Sequence, residues 1–216
     1  MSKITVLLAE DHTIVRQGLR SLLDNEPEIE VVGEAGDGQE AIQKTEQLRP
    51  TVVVMDITMP ILNGLEATRQ IKKLFPAVKV VILTVHSTEE HIYQILRAGA
   101  SGYVVKQGAV PELIEAIRAA AQGNTFLSPT ISRQAIDEYG RQAEVTVDRY
   151  DRLTDREREV LQLIAEGRTS REMASRMHVT VKTVEAHRAH LMDKLGLHTI
   201  ADLTRYALRK GMIGPD

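Results

Sequence analysis

An open, doubly wound α/β sheet followed by a small all-helical domain is the fold class this sequence predicts, and three observations predict it. Over residues 1–125, five near-continuous β-branched runs alternate with five amphipathic segments. Strands without polar alternation belong to sheets buried on both faces, as parallel sheets are. From Leu153 onward no strand pattern remains, and helix-opening signatures recur instead. The charge also divides: residues 1–149 hold 20 acids against 15 Lys and Arg, and residues 150–216 hold 10 against 12, with four of the seven histidines. Such a split points to two domains with different partners. The slight basic excess of the second hints at nucleic acid.

The elements follow in order. Helices are expected at about 12–24, 38–48, 64–74, 88–98 and 110–122. Gly36-Asp37-Gly38, Pro50, Pro60, Asn63-Gly64, Pro76, Gly99 and Gly123 punctuate them. Ser87-Thr88-Glu89-Glu90 reads as a capping box opening the fourth. Five right-handed βα units give a flavodoxin-like strand order. The pattern changes after Phe126-Leu127, where a short helix at 130–139 and a linker at 140–152 are expected. Thr154-Asp155-Arg156-Glu157 is a capping box whose helix runs to Gly167, and Thr169-Ser170-Arg171-Glu172 opens another ending near Met177. Val179-Thr180 makes a turn, a longer helix covers 181–195 up to Gly196, and Thr199-Ile200-Ala201-Asp202 opens the last, to Gly211. The expected domains are therefore 1–125, a connecting stretch 126–152, and 153–216.

With 43% apolar residues in 216, a packed core is assured. The chain has no Trp and only 3% aromatics, so no stacking platform for bases or sugars is evident. It has no Cys, which excludes disulfides and thiolate metal sites and fits a reducing cytoplasm. The opening MSKITVLLAED is too short in its apolar run, and too acidic at its end, for a signal peptide. No apolar stretch approaches the ~20 residues that span a bilayer.

Four strand-like runs end in polar chemistry. Glu10-Asp11 closes ITVLLAED, Asp56 closes TVVVMD, Thr84 closes VKVVILT and Lys106 closes GYVVK. In a parallel sheet these ends meet in one crevice, where open α/β sheets bind ligands. Glu10, Asp11 and Asp56 would crowd three negative charges unless a cation or protons neutralise them. Hard oxygen ligands with open positions suit Mg²⁺, which bridges readily to phosphate. Asp56 is then placed as an in-line nucleophile toward a phosphoryl group. Lys106 would neutralise the transferring oxygens, and Thr84 would donate a hydrogen bond to one of them. Taken singly these residues read structurally: Asp11 as the N-cap of the first helix, Asp56 as a turn residue before Met59-Pro60. Four complementary strand ends together point to a site.

Residues 3–123 resemble a response-regulator receiver domain. The resemblance rests on Glu10-Asp11, Met55-Asp56-Ile57-Thr58-Met59-Pro60, Asn63-Gly64, Thr84, Ala98-Gly99-Ala100, Tyr103 and Lys106. It implies that Asp56 takes a phosphoryl group from a sensor histidine kinase. It also implies that Asp11, Asp56 and the backbone carbonyl of Thr58 bind Mg²⁺, with Glu10 acting through water. Thr84 and Tyr103 would form a switch pair that moves inward as the phosphoryl appears. Two positions depart from the family: Gln107 follows Lys106 where many receivers have proline, and Glu10 replaces the commoner aspartate.

In the last 64 residues the helix at 181–195 decides the reading. Val184, Leu191 and Leu195 share an inward face, while Lys182, Glu185, Ala186 and Ala189 share the opposite one. Alanines at central outward positions allow close approach to a groove. Glu185 and Ala186 would face base edges, and Lys182, Thr183, His187, Arg188 and Lys194 would surround them with phosphate donors. This segment resembles the NarL/FixJ (LuxR-type) DNA-binding domain. The matching residues include Leu153-Thr154-Asp155-Arg156-Glu157, Val179-Thr180-Val181-Lys182-Thr183-Val184-Glu185, His187-Arg188 and Lys194-Leu195-Gly196.

Together the resemblances imply a cytoplasmic two-component transcription regulator. Its partners would be a histidine kinase, double-stranded promoter DNA and, once phosphorylated, a second copy of itself, with no membrane contact. It would not be an enzyme beyond hydrolysing its own aspartyl phosphate. Two other readings compete. A phosphatase of haloacid-dehalogenase type would carry a second Asp two residues after the nucleophile, where this chain has Thr58. A receiver with a protein-binding output would fail to shift DNA.

Overall fold

The computed structural model describes residues 3–84, 95, 97–106, 110–128, 149–210 and 212. The chain divides into two compact units. The first holds β1 (Ile4–Ala9), α1 (Thr13–Leu23), β2 (Ile29–Ala35), α2 (Gly38–Leu48), β3 (Val52–Asp56), α3 (Gly64–Leu74), β4 (Lys79–Thr84), β5 (Gly102–Val105), α4 (Val110–Ala121) and β6 (Phe126–Leu127). Its strands pair in parallel in the order β2-β1-β3-β4-β5-β6. Every residue of β3, VVVMD, is buried, because the strand lies inside a sheet covered on both faces.

The flavodoxin-like order forms, with one strand more than expected. Phe126 N–H donates to Ser101 O at 3.1 Å and Ser128 N–H to Tyr103 O at 3.1 Å, adding β6 at the sheet edge. Two residues are too short a run for alternation to mark. Local chemistry explains the helix starts that it did mark. Asp37 accepts from Glu40 N–H to open α2, and Asn63 accepts from Glu66 N–H to open α3. His12, not Asp11, is the N-cap residue of α1, and it makes no side-chain cap. The capping box at Ser87–Glu90, Gln107 and the helix at 130–139 lie outside the described residues. So does the helix at 88–98, apart from residues 95, 97 and 98.

The order reverses at β1, with β2 on one side and β3 on the other. Register then fixes the crevice. Ala9 lies opposite Met55, Asp56 opposite Leu83, and Thr84 opposite Val105. The residues that follow these positions, Glu10 and Lys106, therefore join Asp56 and Thr84 along one carboxyl edge.

The second unit comprises a 3₁₀ turn at Arg149–Arg152, α5 (Asp155–Ala165), α6 (Ser170–Arg176), α7 (Val181–Leu195) and α8 (Ile200–Arg209). Thr154 with Glu157 and Thr169 with Glu172 form complete capping boxes. Thr180 caps α7 and Thr199 caps α8. The core gathers Leu161, Leu163, Met173, Val184, Leu191 and Leu203. The expected linker ends early, because Tyr150 is buried in this core and Arg149 donates to Leu195 O at 2.9 Å. Among the described residues, no helix is long and apolar enough to cross a membrane.

Candidate functional site

The strand ends converge as the pattern requires. Lys106 Nζ lies 2.6 Å from Glu10 Oε2 and 3.1 Å from Asp56 Oδ2, so one ammonium bridges two carboxylates. Asp56 is 5% exposed and Glu10 1%. The other Asp56 oxygen, Oδ1, accepts from Ile57 N–H at 2.9 Å. Burial pushes the Asp56 carboxyl up to about 6 against the opposing pull of Lys106, and Glu10 adds to the rise. Burial also opposes the Lys106 ammonium, but Asp56 and Glu10 outweigh it and hold its pKa above the usual lysine value.

The loop after Asp56 is held tightly. Gly64 N–H donates to Ile57 O at 2.8 Å, and Thr58 is half-buried between. Thr84 is buried at the end of β4, and its carbonyl accepts from Lys106 N–H at 2.7 Å. Tyr103 is 1% exposed, and burial raises its phenol pKa. The ring thus lies inside the sheet domain in this conformation.

Two neighbours escaped the sequence reading. Arg16 Nη1 donates to Glu10 O at 2.5 Å while its Nε donates to Glu34 Oε2 at 3.1 Å, clamping the end of β1. No local pattern reveals this, because Glu34 arrives on another strand. His12 is the second. Its Nδ1 lies 3.1 Å from Glu10 Oε1 and 2.8 Å from Asp11 Oδ1. Asp11 beside it, then Glu10, raises the His12 pKa. Its place directly after two acids was the available signal.

The pocket has the donor chemistry of a divalent cation site. Glu10, Asp11 and Asp56 supply hard oxygens, and Asp11 Oδ1 is buried beside the His12 ring at 2.8 Å. Buried carboxylate oxygens crowded together are costly unless positive charge meets them. Among the described residues, the group whose donor atoms all lie within 4.8 Å of one another is Glu10, Asp11 and His12. Asp56 is outside that group, held by Lys106.

On α7 the inward face is as expected, with Val184, Leu191 and Leu195 buried. Lys182, Glu185, Ala186 and Ala189 are exposed, and His190, not singled out from the sequence, is exposed among them. His187 and Arg188 are half-buried on the flanks, and the Thr183 hydroxyl bonds Thr180 Oγ1 at 2.8 Å in the helix cap. Lys194 is half-buried and already paired. Its Nζ is 2.7 Å from Oε2 of buried Glu157, the capping-box acid of α5.

That pair carries a pH dependence. Burial opposes the Glu157 charge, but bonds from Lys194 and Thr154 outweigh it and lower its pKa. A carboxyl lowered on folding contributes stability above its unfolded pKa, and loses it as pH falls through the folded one. Glu157→Gln should therefore cost about 1–3 kcal/mol at neutral pH. In acid below the usual glutamate range that cost should shrink. Urea unfolding at both pH values measures it; a cost independent of pH would contradict the pairing.

Comparison with known proteins locates both units. Residues 6–118 match the response regulator receiver domain, and residues 151–207 match the bacterial regulatory proteins of the luxR family. The chain is 40% identical over 213 residues to the oxygen regulatory protein NreC of Staphylococcus carnosus, covering 96% of this chain and 98% of that one. It is similar to the RcsB response regulator of Salmonella typhimurium, at 29% identity and TM-score 0.60, covering 97% of this chain and 100% of that one. A structure of two RcsB dimers bound to two parallel DNAs matches at 28% identity and TM-score 0.61, over 96% of this chain and 98% of that one.

Proposed function

Because the chain belongs to the response regulators that join a receiver domain to a LuxR-type DNA-binding domain, we propose that phosphorylation of Asp56 by a sensor histidine kinase controls its binding to promoter DNA. The observation that carries this reading is Asp56 itself. It is buried at the carboxyl edge of the sheet, with Lys106 at 3.1 Å and the Glu10-Asp11 pair beside it.

The chemistry follows from these groups. Asp56 attacks the phosphorus of a phosphohistidine; its O–P bond forms as the N–P bond breaks, and the imidazole leaves. Lys106, already within reach of Asp56, keeps the carboxylate ionised and then pairs with a phosphoryl oxygen. Asp11, Asp56 and the Thr58 carbonyl would hold Mg²⁺, with Glu10 acting through water. Bound there, the ion neutralises charge on the transferring oxygens. Thr84 donates its hydroxyl to the phosphoryl group, and repacking around Tyr103 carries the change onward. Hydrolysis of its own aspartyl phosphate is the most turnover this pocket supports. A haloacid-dehalogenase phosphatase is disfavoured, because Thr58 stands where its acid would be.

The phosphoryl group biases a two-state element and is not itself glue between subunits. We take the favoured state to be a dimer, which presents two α7 helices to half-sites one helical turn apart. The RcsB dimers on DNA support this arrangement. A regulator of this kind works in the cytoplasm. Domain limits of 1–125 and 153–216, joined by 126–152, fit the reading, with the helical unit reaching back to Arg149.

The test is a titration of DNA selected from random sequence, with association state followed with and without phosphoryl donor. A coupling of about 1–3 kcal/mol, or about 5–150-fold in affinity, is expected. Identical curves would mean that phosphate does not gate DNA binding. The same assay examines α7. Lys182→Ala should weaken all sequences alike and lower the salt slope by about one unit, as loss of one phosphate contact does. Glu185→Ala should instead change the preferred sequence, because its carboxylate faces base edges. An unchanged consensus would remove Glu185 from that role.

A further inference from the structure

At the amino edge of the sheet, opposite the crevice that holds Asp56, a cleft of about 410 Å³ opens among Arg49, Leu74, Phe75, Pro76, Val78 and Lys79. We propose that it binds a small aromatic carboxylate. Its place follows from topology. Thr51 leads into β3, and Lys79 begins β4 opposite Val52. The ends of α2, α3 and α4, at Arg49, Leu74 and Ala121, close round them. The volume lies in the range of small-ligand sites, about 300–1,000 Å³.

The lining sets the sign of the ligand. Among the described residues, Arg49 and Lys79 line the cleft, no carboxylate does, and neither cation has an acidic partner. Burial lowers the Lys72 pKa, and the nearby Lys79 lowers it further. The two ammonium groups therefore repel, and a bound anion would relieve them.

The walls set its shape. Arg49 stands at φ 47, a left-handed conformation that disfavours any residue with a Cβ. Its guanidinium lies over the Phe75 ring, 4.4 Å from the centroid, and its Nε donates to Glu46 O at 3.0 Å. Among the described residues the two Nη groups bond nothing, which leaves a planar fork suited to a carboxylate. The facing wall is already fixed. Lys72 Nζ donates to Pro76 O and to Val78 O, both at 2.9 Å, and Val78 N–H donates to Phe75 O at 3.0 Å. Leu74, 56% exposed, and Pro76 give an aryl body an apolar surface. The competing reading is that these cations offset the negative ends of the helices. It accounts for Lys72 and for Arg49 Nε, which meet carbonyls. It does not account for Lys79, on a strand, or for the open fork.

The experiment follows backbone amide resonances of the full chain during titration with naphthoate, its neutral amide, acetate and a glutamate-rich peptide. Wild type should bind naphthoate saturably, with shifts gathered at Arg49, Thr51 and Phe75 to Lys79. Arg49→Gln and Lys79→Gln should each weaken it about tenfold, as loss of a charged hydrogen bond does. Lys79→Arg should retain binding, which separates lost charge from a folding defect. The amide should bind wild type about tenfold more weakly than naphthoate, and acetate should not saturate. No saturable binding of naphthoate, equal affinity for its amide, or undiminished binding in both glutamine variants overturns the proposal. So do shifts centred on Asp56, which would put the ligand in the phosphoryl crevice. Tighter binding of the peptide would assign the cleft to a protein segment and overturn it as well.

Discussion

Asp56→Asn abolishes labelling of the chain by acetyl phosphate, read as the loss of one phosphoryl increment in intact mass. The amide has nearly the shape of the carboxylate but is not a nucleophile at neutral pH, so chemistry is lost while packing is kept. The fold should persist, because Lys106 retains Glu10 at 2.6 Å and the substitution removes a buried charge that its surroundings disfavour. Wild type should label only with a divalent cation present. Equal labelling of mutant and wild type would move the phosphoacceptor elsewhere.

Gly64→Ala should be as damaging by a different route. A Cβ on Gly64 would stand 1.8 Å from the carbonyl oxygen of Asp56 and 2.9 Å from Met55 Cγ. The obstacle is backbone, which cannot rotate aside. The loop is tied by the Gly64 N–H to Ile57 O bond and by Asn63 capping α3, so relief must come from moving Asp56. Overpacking of this kind costs about 3 kcal/mol or more. Urea unfolding should show it, with slower phosphoryl labelling of whatever remains folded. Gly18→Ala is the control. Nothing lies within 4 Å of its added Cβ, and it sits inside α1, so a gain of about 0.5–1 kcal/mol is expected. Should Gly64→Ala match wild type in both assays, the close approach at the end of β3 is wrong.

Much of this architecture is legible in the chain because its causes are local. Asn63, Asp37, Thr154, Thr169, Thr180 and Thr199 announce helix starts through bonds spanning three residues. Val184, Leu191 and Leu195 mark the buried face of α7 by spacing alone. The pocket itself is legible for a topological reason. Parallel strands place all their carboxyl ends on one edge, so Glu10, Asp56, Thr84 and Lys106 meet wherever such strands pair.

What the sequence determined by itself is therefore the element order, the sheet class and the set of residues at its edge, all consequences of period and capping. Tertiary structure decided what those residues do to one another. Lys106 bridges Glu10 and Asp56 from a distant part of the chain, the His12 ring stands against both Glu10 and Asp11, and Lys194 pairs with Glu157. The two-residue β6 and the contact that forbids a side chain at 64 arise in the same way. Each depends on distances of a few ångströms between elements remote in sequence. Packing sets those distances, and no local pattern encodes them.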